Sequence, residues 1–195
     1  LLWRVAAEDK ILFLTFDDGP VPGPTEFVLN ELKKYNAKAT FFCIGDNVRK
    51  NPAVFEKVLA EGHAIGNHTF NHLKGWSTSL QHYLENIDLC NTQLTTHNLQ
   101  SITFFRPPYG RITNSQIKAL KSQYQIVMWD VLTHDYSKTI STEQCLKGTI
   151  KATRPGSIIV FHDSLKAERN MMYVLPKFLD HFTNLGYKFK SLLET

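Results

Sequence analysis

The chain has 195 residues, 43% apolar and 21% charged, with a net charge of +4, the balance of a globular protein with a sizeable core. No Lys/Arg run is interleaved with aromatics, so no nucleic-acid partner is expected. No apolar stretch approaches the roughly 20 residues that span a membrane.

The first element is "ILFLTF" (11–16), apolar on both faces, which predicts a strand covered on both sides. After the turn-forming "PVPGP", Val28, Leu32 and Tyr35 recur at helical spacing. "ATFFCIG" (39–45) is the second strand. Asn51-Pro52 reads as an N-cap and first helical position, Phe55, Val58 and Leu59 form the inward stripe, and Gly62 ends it. "HAIGNHT" (63–69) is a short third strand, followed by a helix marked by Leu80, Tyr83, Leu84 and Ile87. "ITFFRPP" (102–108) is strand four, and Asn114, Ile117 and Leu120 suggest a short helix. "QIVMWD" (125–130) is strand five, followed by a helix opened by a Ser141–Gln144 capping box. "GSIIVFHD" (156–163) is strand six. The last helix carries Leu175, Phe178, Leu179, Phe182 and Leu185; Pro176 suits its first turn and would break its middle. "YKFKSLL" (187–193) is strand seven.

Seven strands separated by six helical patterns predict a parallel sheet with helical crossovers in one domain, residues 1–195. The pattern fits a (β/α) barrel, distorted or incompletely closed, or an open doubly wound sheet. No Gly-x-Gly-x-x-Gly follows strand one, which argues against the dinucleotide-binding version. Cys43, Cys90 and Cys145 are scattered, without a Cys-x-x-Cys pair, so neither a disulfide framework nor a Cys-rich zinc site is expected. The chain begins at Leu1 rather than Met, as expected of a trimmed or mature fragment, and whether an export signal or anchor stood upstream is open at this point.

Chemistry in such folds sits at the C-terminal ends of the strands. Asp17-Asp18 ends strand one, and His68 and His72 follow strand three. Arg106 and Tyr109 follow strand four, Trp129, His134 and Asp135 strand five, and His162-Asp163 strand six. All therefore fall on one rim. His68 and His72, four residues apart, can ligate one metal ion, with a carboxylate as third ligand. Neighbouring residues in an extended segment point opposite ways, so one aspartate of the doublet faces the metal and the other can serve as general base. Arg106 would hold a rim carboxylate ionised. The Pro107-Pro108 pair stiffens a backbone that could present the Tyr109 N–H to an oxyanion. His162 is the natural acid for a leaving group, with Asp135 raising its pKa. Trp129 is either a pocket wall or core. Two histidines and a carboxylate also describe a non-haem iron oxygenase, but that reading leaves Arg106, Tyr109 and His162 unexplained.

The set resembles the polysaccharide deacetylases of carbohydrate esterase family four, the NodB homology domain. "TFDDGP" (15–20), "HTFNH" (68–72), "RPPYG" (106–110), "WDVLTHDY" (129–136) and "VFH" (160–162) are similar to its five motifs, in order, across most of the chain. The resemblance implies a distorted (β/α) barrel that hydrolyses N- or O-acetyl groups on sugars with a divalent metal, usually Zn2+, sometimes Co2+ or Ni2+. It implies Asp17 as base, and Asp18, His68 and His72 as metal ligands steadied by Thr69. Arg106 would orient Asp17, Tyr109 would donate its backbone N–H, and Asp135 would tune the acid His162. Trp129 and Val160 would line the acetyl pocket, with Trp76, Tyr109 and Tyr136 as candidate sugar platforms. Two residues depart from the family pattern, Tyr136 where a Trp is usual and Val160 where a Leu is usual. Both bear on acetyl and substrate fit rather than on the reacting groups. The implied partner is an acetylated glycan: peptidoglycan, chitin oligomers, acetylated exopolysaccharide or acetylxylan. That substrate class points to the cell envelope or exterior, with a cytoplasmic location left open. A catalytically silent sugar-binding domain of the same fold is the alternative.

Overall fold

The computed structural model describes residues 1–195 apart from 7, 8, 98 and 100. Strand β1 (Ile11–Asp17) is followed by α1 (Pro24–Lys34), β2 (Ala39–Cys43), α2 (Gly45–Lys50), α3 (Pro52–Ala60) and β3 (Ala64–Asn67). Then come α4 (Leu80–Thr95), β4 (Phe104–Phe105), α5 (Asn114–Leu120), β5 (Gln125–Ile126) and β6 (Val131–Leu132). The chain closes with α6 (Thr142–Ala152), β7 (Ile158–His162), α7 (Glu168–Asn184) and β8 (Lys188–Phe189). The sheet runs β5-β4-β3-β2-β1-β7-β6, with β8 on the start of β1, and every strand pair is parallel. This is the distorted barrel of parallel strands that the spacing predicts, open along one seam.

Strands with two apolar faces arise because each face has its own cover. Leu12, Leu14 and Phe16 of β1 join Phe41 of β2 and Ile159 and Phe161 of β7 in the large core beneath the helices. Their neighbours point the other way. Phe13, Phe42, Phe104 and Ile158 form a second, smaller cluster inside the barrel. The same alternation carries Thr15 and Asp17 to the inner face of β1, and Val160 and His162 to that of β7. Asp17 is the direct register partner of His162. Gly66 of β3 is required by this interior, since a Cβ there would meet the Phe42 ring at 2.4 Å.

The predicted fifth strand is divided. Its start pairs with β4, with Val127 donating to the Phe105 carbonyl, whereas Asp130 donates to the Ile158 carbonyl beside β7. Residues 127–130 thus cross the seam, which turns one predicted strand into β5 and β6. The N-terminal segment closes the seam from outside: Leu2 exchanges backbone hydrogen bonds with Ile126 and Met128, and Val5 donates to Gly156.

Two further differences have local causes. Pro176 lies inside α7, not in its first turn. An interior proline costs about 3 kcal/mol. The helix nevertheless buries Met171, Val174, Leu175, Phe178, Leu179 and Phe182, each contributing roughly 1.5–3 kcal/mol, so burial wins. Asn51 occupies the predicted N-cap position of α3 but makes no cap. Its amide donates instead to the carbonyls of Pro20 and Asn47.

Candidate active site

Asp17 ends β1 inside the barrel, and the chain then turns sharply: Asp18 has φ 83° and the Gly19–Pro20 peptide is cis. The turn is fastened from several sides. Asn47 donates its side-chain amide to the Asp18 carbonyl at 2.6 Å, and the Asp163 N–H donates to the Asp17 carbonyl at 3.1 Å. The buried Asp163 carboxyl takes the Gly19 N–H at 3.0 Å and hydrogen-bonds the Thr25 hydroxyl at 2.6 Å. A Cβ on Gly19 would lie 1.9 Å from that carboxyl, so only glycine fits. Burial pushes the Asp163 pKa up to about 8, which keeps it protonated near neutral pH.

The loop after β3 delivers the histidines. Thr69 and His72 are both left-handed, with φ 63° and 58°. Thr69 donates its N–H to Asn67 Oδ1 at 2.9 Å and its hydroxyl accepts from the Leu73 N–H at 3.0 Å, which pins the loop. His68 Nδ1 lies 2.7 Å from the Arg106 carbonyl. A carbonyl only accepts, so Nδ1 carries the proton and Nε2 presents its lone pair. Burial lowers the His72 pKa to about 4, leaving that ring neutral.

These lone pairs converge on Asp18. Its Oδ1 is buried without a hydrogen-bond partner, 3.9 Å from His68 Nε2 and 3.5 Å from His72 Nε2. Two ligands bound tetrahedrally at about 2.1 Å from one ion stand roughly 3.4 Å apart. Asp18, His68 and His72 therefore have the donor types, spacing and orphaned oxygen that a divalent ion would satisfy.

Arg106 is fully buried and spends every guanidinium nitrogen. Nη1 donates to Asp17 Oδ1 and to the Thr15 hydroxyl, both at 2.7 Å. Nε and Nη2 donate to the carbonyls of Val127 and Met128, the residues crossing the seam. Its plane lies 4.1 Å from the Phe42 ring centre. Burial raises the Asp17 pKa, but the charges of Arg106 and His162 and the Arg106 hydrogen bond outweigh it, so the carboxylate lies below its ordinary range. The other oxygen, Oδ2, faces His68 Nε2 at 3.9 Å.

Across the barrel, Asp135 fixes His162 twice, accepting from its backbone N–H at 2.7 Å and meeting its Nδ1 at 2.8 Å. Burial lowers the His162 pKa, but the Asp135 charge and hydrogen bond, with Asp18 and Asp17 beyond, lift it to about 9. Asp135 is itself held by Asn170, which donates to its carbonyl at 3.0 Å. Tyr109 is left-handed, φ 60°, with its ring 4.6 Å from that of His72. The N–H groups of the next two residues are taken by the carbonyls of Pro107 and Pro108.

Asp17, Asp18, His68, His72, Tyr109 and His162 open into one cavity of about 340 Å³, which Trp129, Tyr136 and Val160 also line, while Arg106 and Asp135 lie behind Asp17 and His162. Trp76 stands outside the cavity, stacked on Arg111 of its rim. Leu132 of β6 lines the cavity as well, and so do Lys74, Arg111 and Lys166, which carry no sequence pattern of their own. The three cations sit on the same post-strand loops as the recognised motifs, and that position was the available signal.

A parallel barrel with a His/His/Asp cluster and an Asp/His pair at its rim is the architecture of a hydrolase that acts on acetylated sugars. The chain belongs to the polysaccharide deacetylase family, whose model matches residues 4–127. It is 36% identical over 195 residues to a peptidoglycan-N-acetylglucosamine deacetylase of Bacillus cereus, covering 98% of this chain and 91% of that one. It is 30% identical to the peptidoglycan-N-acetylmuramic acid deacetylase PdaC of Bacillus subtilis, spanning 94% of this chain and 38% of the longer protein. The structure superposes with a TM-score of 0.93, at 31% identity and covering 99% and 91% of the two chains, on the Bc1960 peptidoglycan N-acetylglucosamine deacetylase in complex with a naphthalenyl N-hydroxybenzamide.

Proposed function

We propose that this protein is a metal-dependent deacetylase that removes acetyl groups, foremost the N-acetyl of N-acetylglucosamine-type sugars, from a cell-envelope glycan. We take residues 1–195 as one catalytic unit. The observation that carries the reading is the opposition of two differently tuned groups across one cavity. Asp17 is kept ionised and His162 kept protonated, with Asp18, His68 and His72 beside them. A pair whose surroundings drive the two pKa values apart is suited to base and acid roles.

Asp18, His68 and His72 would hold the ion, zinc by preference, with cobalt or nickel as substitutes. Once held, it would supply Lewis acidity toward the acetyl carbonyl and toward a water. Asp17, oriented by Arg106, takes a proton from the water as its oxygen bonds to the carbonyl carbon. The Tyr109 backbone N–H donates to the oxygen that gains negative charge. His162 gives its proton to the sugar nitrogen, the C–N bond breaks, and acetate departs. Trp129 and Val160 wall the acetyl methyl group, and Tyr109 and Tyr136 offer ring faces to the sugar.

The relatives named for peptidoglycan favour that polymer over chitin or acetylxylan, and an envelope substrate implies an envelope location. The test is acetate release from peptidoglycan, chitooligosaccharides and acetylxylan by metal-stripped protein, before and after zinc or cobalt is restored. Metal-restored release, greatest from peptidoglycan, is expected. Zinc binding with no release from any of them would overturn the reading in favour of a silent sugar-binding domain.

A further inference from the structure

Three cations stand around the cavity mouth, and among the described residues no acid answers them. Lys74 follows β3, Arg111 follows β4 and Lys166 follows β7, and all three are exposed. Among the described residues none of them has a carboxylate within 4.0 Å, whereas Lys34, Arg49, Lys50, Lys57 and Arg154 do. The strand order puts Lys74 and Arg111 on one side of β1 and Lys166 on the other. The charges therefore flank the Asp18 cluster from both sides.

Two of them are propped by aromatic rings. The Arg111 guanidinium lies 4.8 Å from the centre of the Trp76 ring, which is fixed by donating its Nε1–H to the Ile112 carbonyl at 3.2 Å. Lys166 Nζ lies 5.1 Å from the Tyr136 ring centre. Such props restrict long side chains before a ligand arrives, which lowers the ordering cost of binding. The acids of the cavity lining are Asp17, committed to Arg106, and Asp18, which faces the two imidazoles and would be a ligand of the ion. The mouth thus carries uncompensated positive charge, and a cleft with charged walls raises the local concentration of opposite charge.

An acetylated sugar without charge offers such a rim hydrogen-bond acceptors but no counter-charge. Arg111 in particular presents a planar fork suited to two carboxylate oxygens. Resting on the deacetylase reading above, we propose that Lys74, Arg111 and Lys166 form a carboxylate-recognising rim that selects anionic N-acetylated glycans over neutral ones. The carboxylates can belong to an ether-linked lactyl group on the sugar or to a peptide attached to it.

The test uses the zinc-loaded protein and three oligosaccharides of equal length. One is a neutral chitooligosaccharide, one carries lactyl carboxylates on alternate sugars, and one carries the same groups as amides. A peptide-bearing fourth distinguishes the two carboxylate sources. Both kcat/KM and calorimetric binding are read, at low salt and at about 0.5 M salt, where screening is nearly complete within a few ångströms. The expected result is a preference of about tenfold for the carboxylate forms, from several weak screened contacts acting together. That preference should vanish on amidation, shrink in high salt, and collapse in the triple variant K74Q/R111Q/K166Q. Equal kcat/KM and binding for carboxylate and amide forms, or a preference that survives in the triple variant, would overturn the proposal. If no oligosaccharide is turned over, the deacetylase reading fails by itself, and the binding ratio still decides for or against the rim.

Discussion

The Asp17 carboxylate and the Arg106 guanidinium lie 2.7 Å apart, with 5% and 0% of their side chains exposed. Arg106 also holds the carbonyls of Val127 and Met128, so one side chain both orients the proposed base and fastens the barrel seam. Asp17→Asn removes the base and keeps the shape. We expect the rate to fall by ~100-fold or more, with zinc binding retained in an equilibrium titration. Near-normal turnover would refute the base assignment. Arg106→Met strands a buried carboxylate and is expected to cost ~3–5 kcal/mol in denaturant unfolding.

The acid limb and the basic limb of the pH profile belong to different residues. His162 acts as an acid only while protonated, so kcat/KM should fall as pH rises through about 9. In Asp135→Asn the charge that opposes burial is gone. The basic limb then moves down toward 6.5, the ordinary imidazole value, or below it. A limb that stays in place in this variant would mean that another group supplies the proton.

Metal removal has a stability signature independent of turnover. An ion that binds only the folded chain adds RT ln(1 + [L]/Kd), about 2.7 kcal/mol at a hundredfold excess over Kd. Chelated protein should therefore melt several degrees lower, and added zinc should restore the midpoint. Asp18→Asn and His68→Gln are expected to abolish the zinc-dependent shift, which scanning calorimetry reads directly.

Asp163 makes a prediction of the opposite kind. Its carboxyl titrates near 3.8 when unfolded and near 8 in the fold. Between those values the folded chain holds a proton that unfolding releases. Stability is therefore complete at low pH and declines as pH rises toward 8. In Asp163→Asn, the amide can donate to the Thr25 hydroxyl while its oxygen accepts from Gly19. That variant should lose this decline and unfold at higher denaturant than the parent at about pH 9. Asp163→Ala, which leaves the Gly19 N–H unanswered, should be less stable at every pH.

The strand ends were legible because apolar runs that break into Asp-Asp, His or Arg locate the rim before any contact is known. What periodicity could not reveal was which face of β1 turned inward, since Leu12, Phe13 and Leu14 are equally apolar. The break at 127–130 was hidden for the same reason: "QIVM" reads as one continuous buried run, while its hydrogen-bond partners change from β4 to β7. Helix α2, only six residues long, has too few turns to display a stripe. Asn51 carried a true positional signal, yet its amide was drawn to the Pro20 carbonyl by the loop folded over it. Lys74, Arg111 and Lys166 went unremarked because a loop cation has no pattern until the strands bring three loops together.

Among the described residues, six non-glycine ones adopt left-handed backbone, and five of them, Asp18, Thr69, His72, Tyr109 and His134, lie on the rim of the barrel. Each such residue costs roughly 1–2 kcal/mol relative to glycine. The unfavourable backbone geometry is thus gathered at one end of the molecule, leaving the strands and helices below it relaxed. For anyone seeking a heat-resistant form of this protein, the exposed His134 is then the place to begin. His134→Gly relieves the backbone without touching Asp17, the imidazole pair or His162, and is expected to raise the melting temperature in scanning calorimetry.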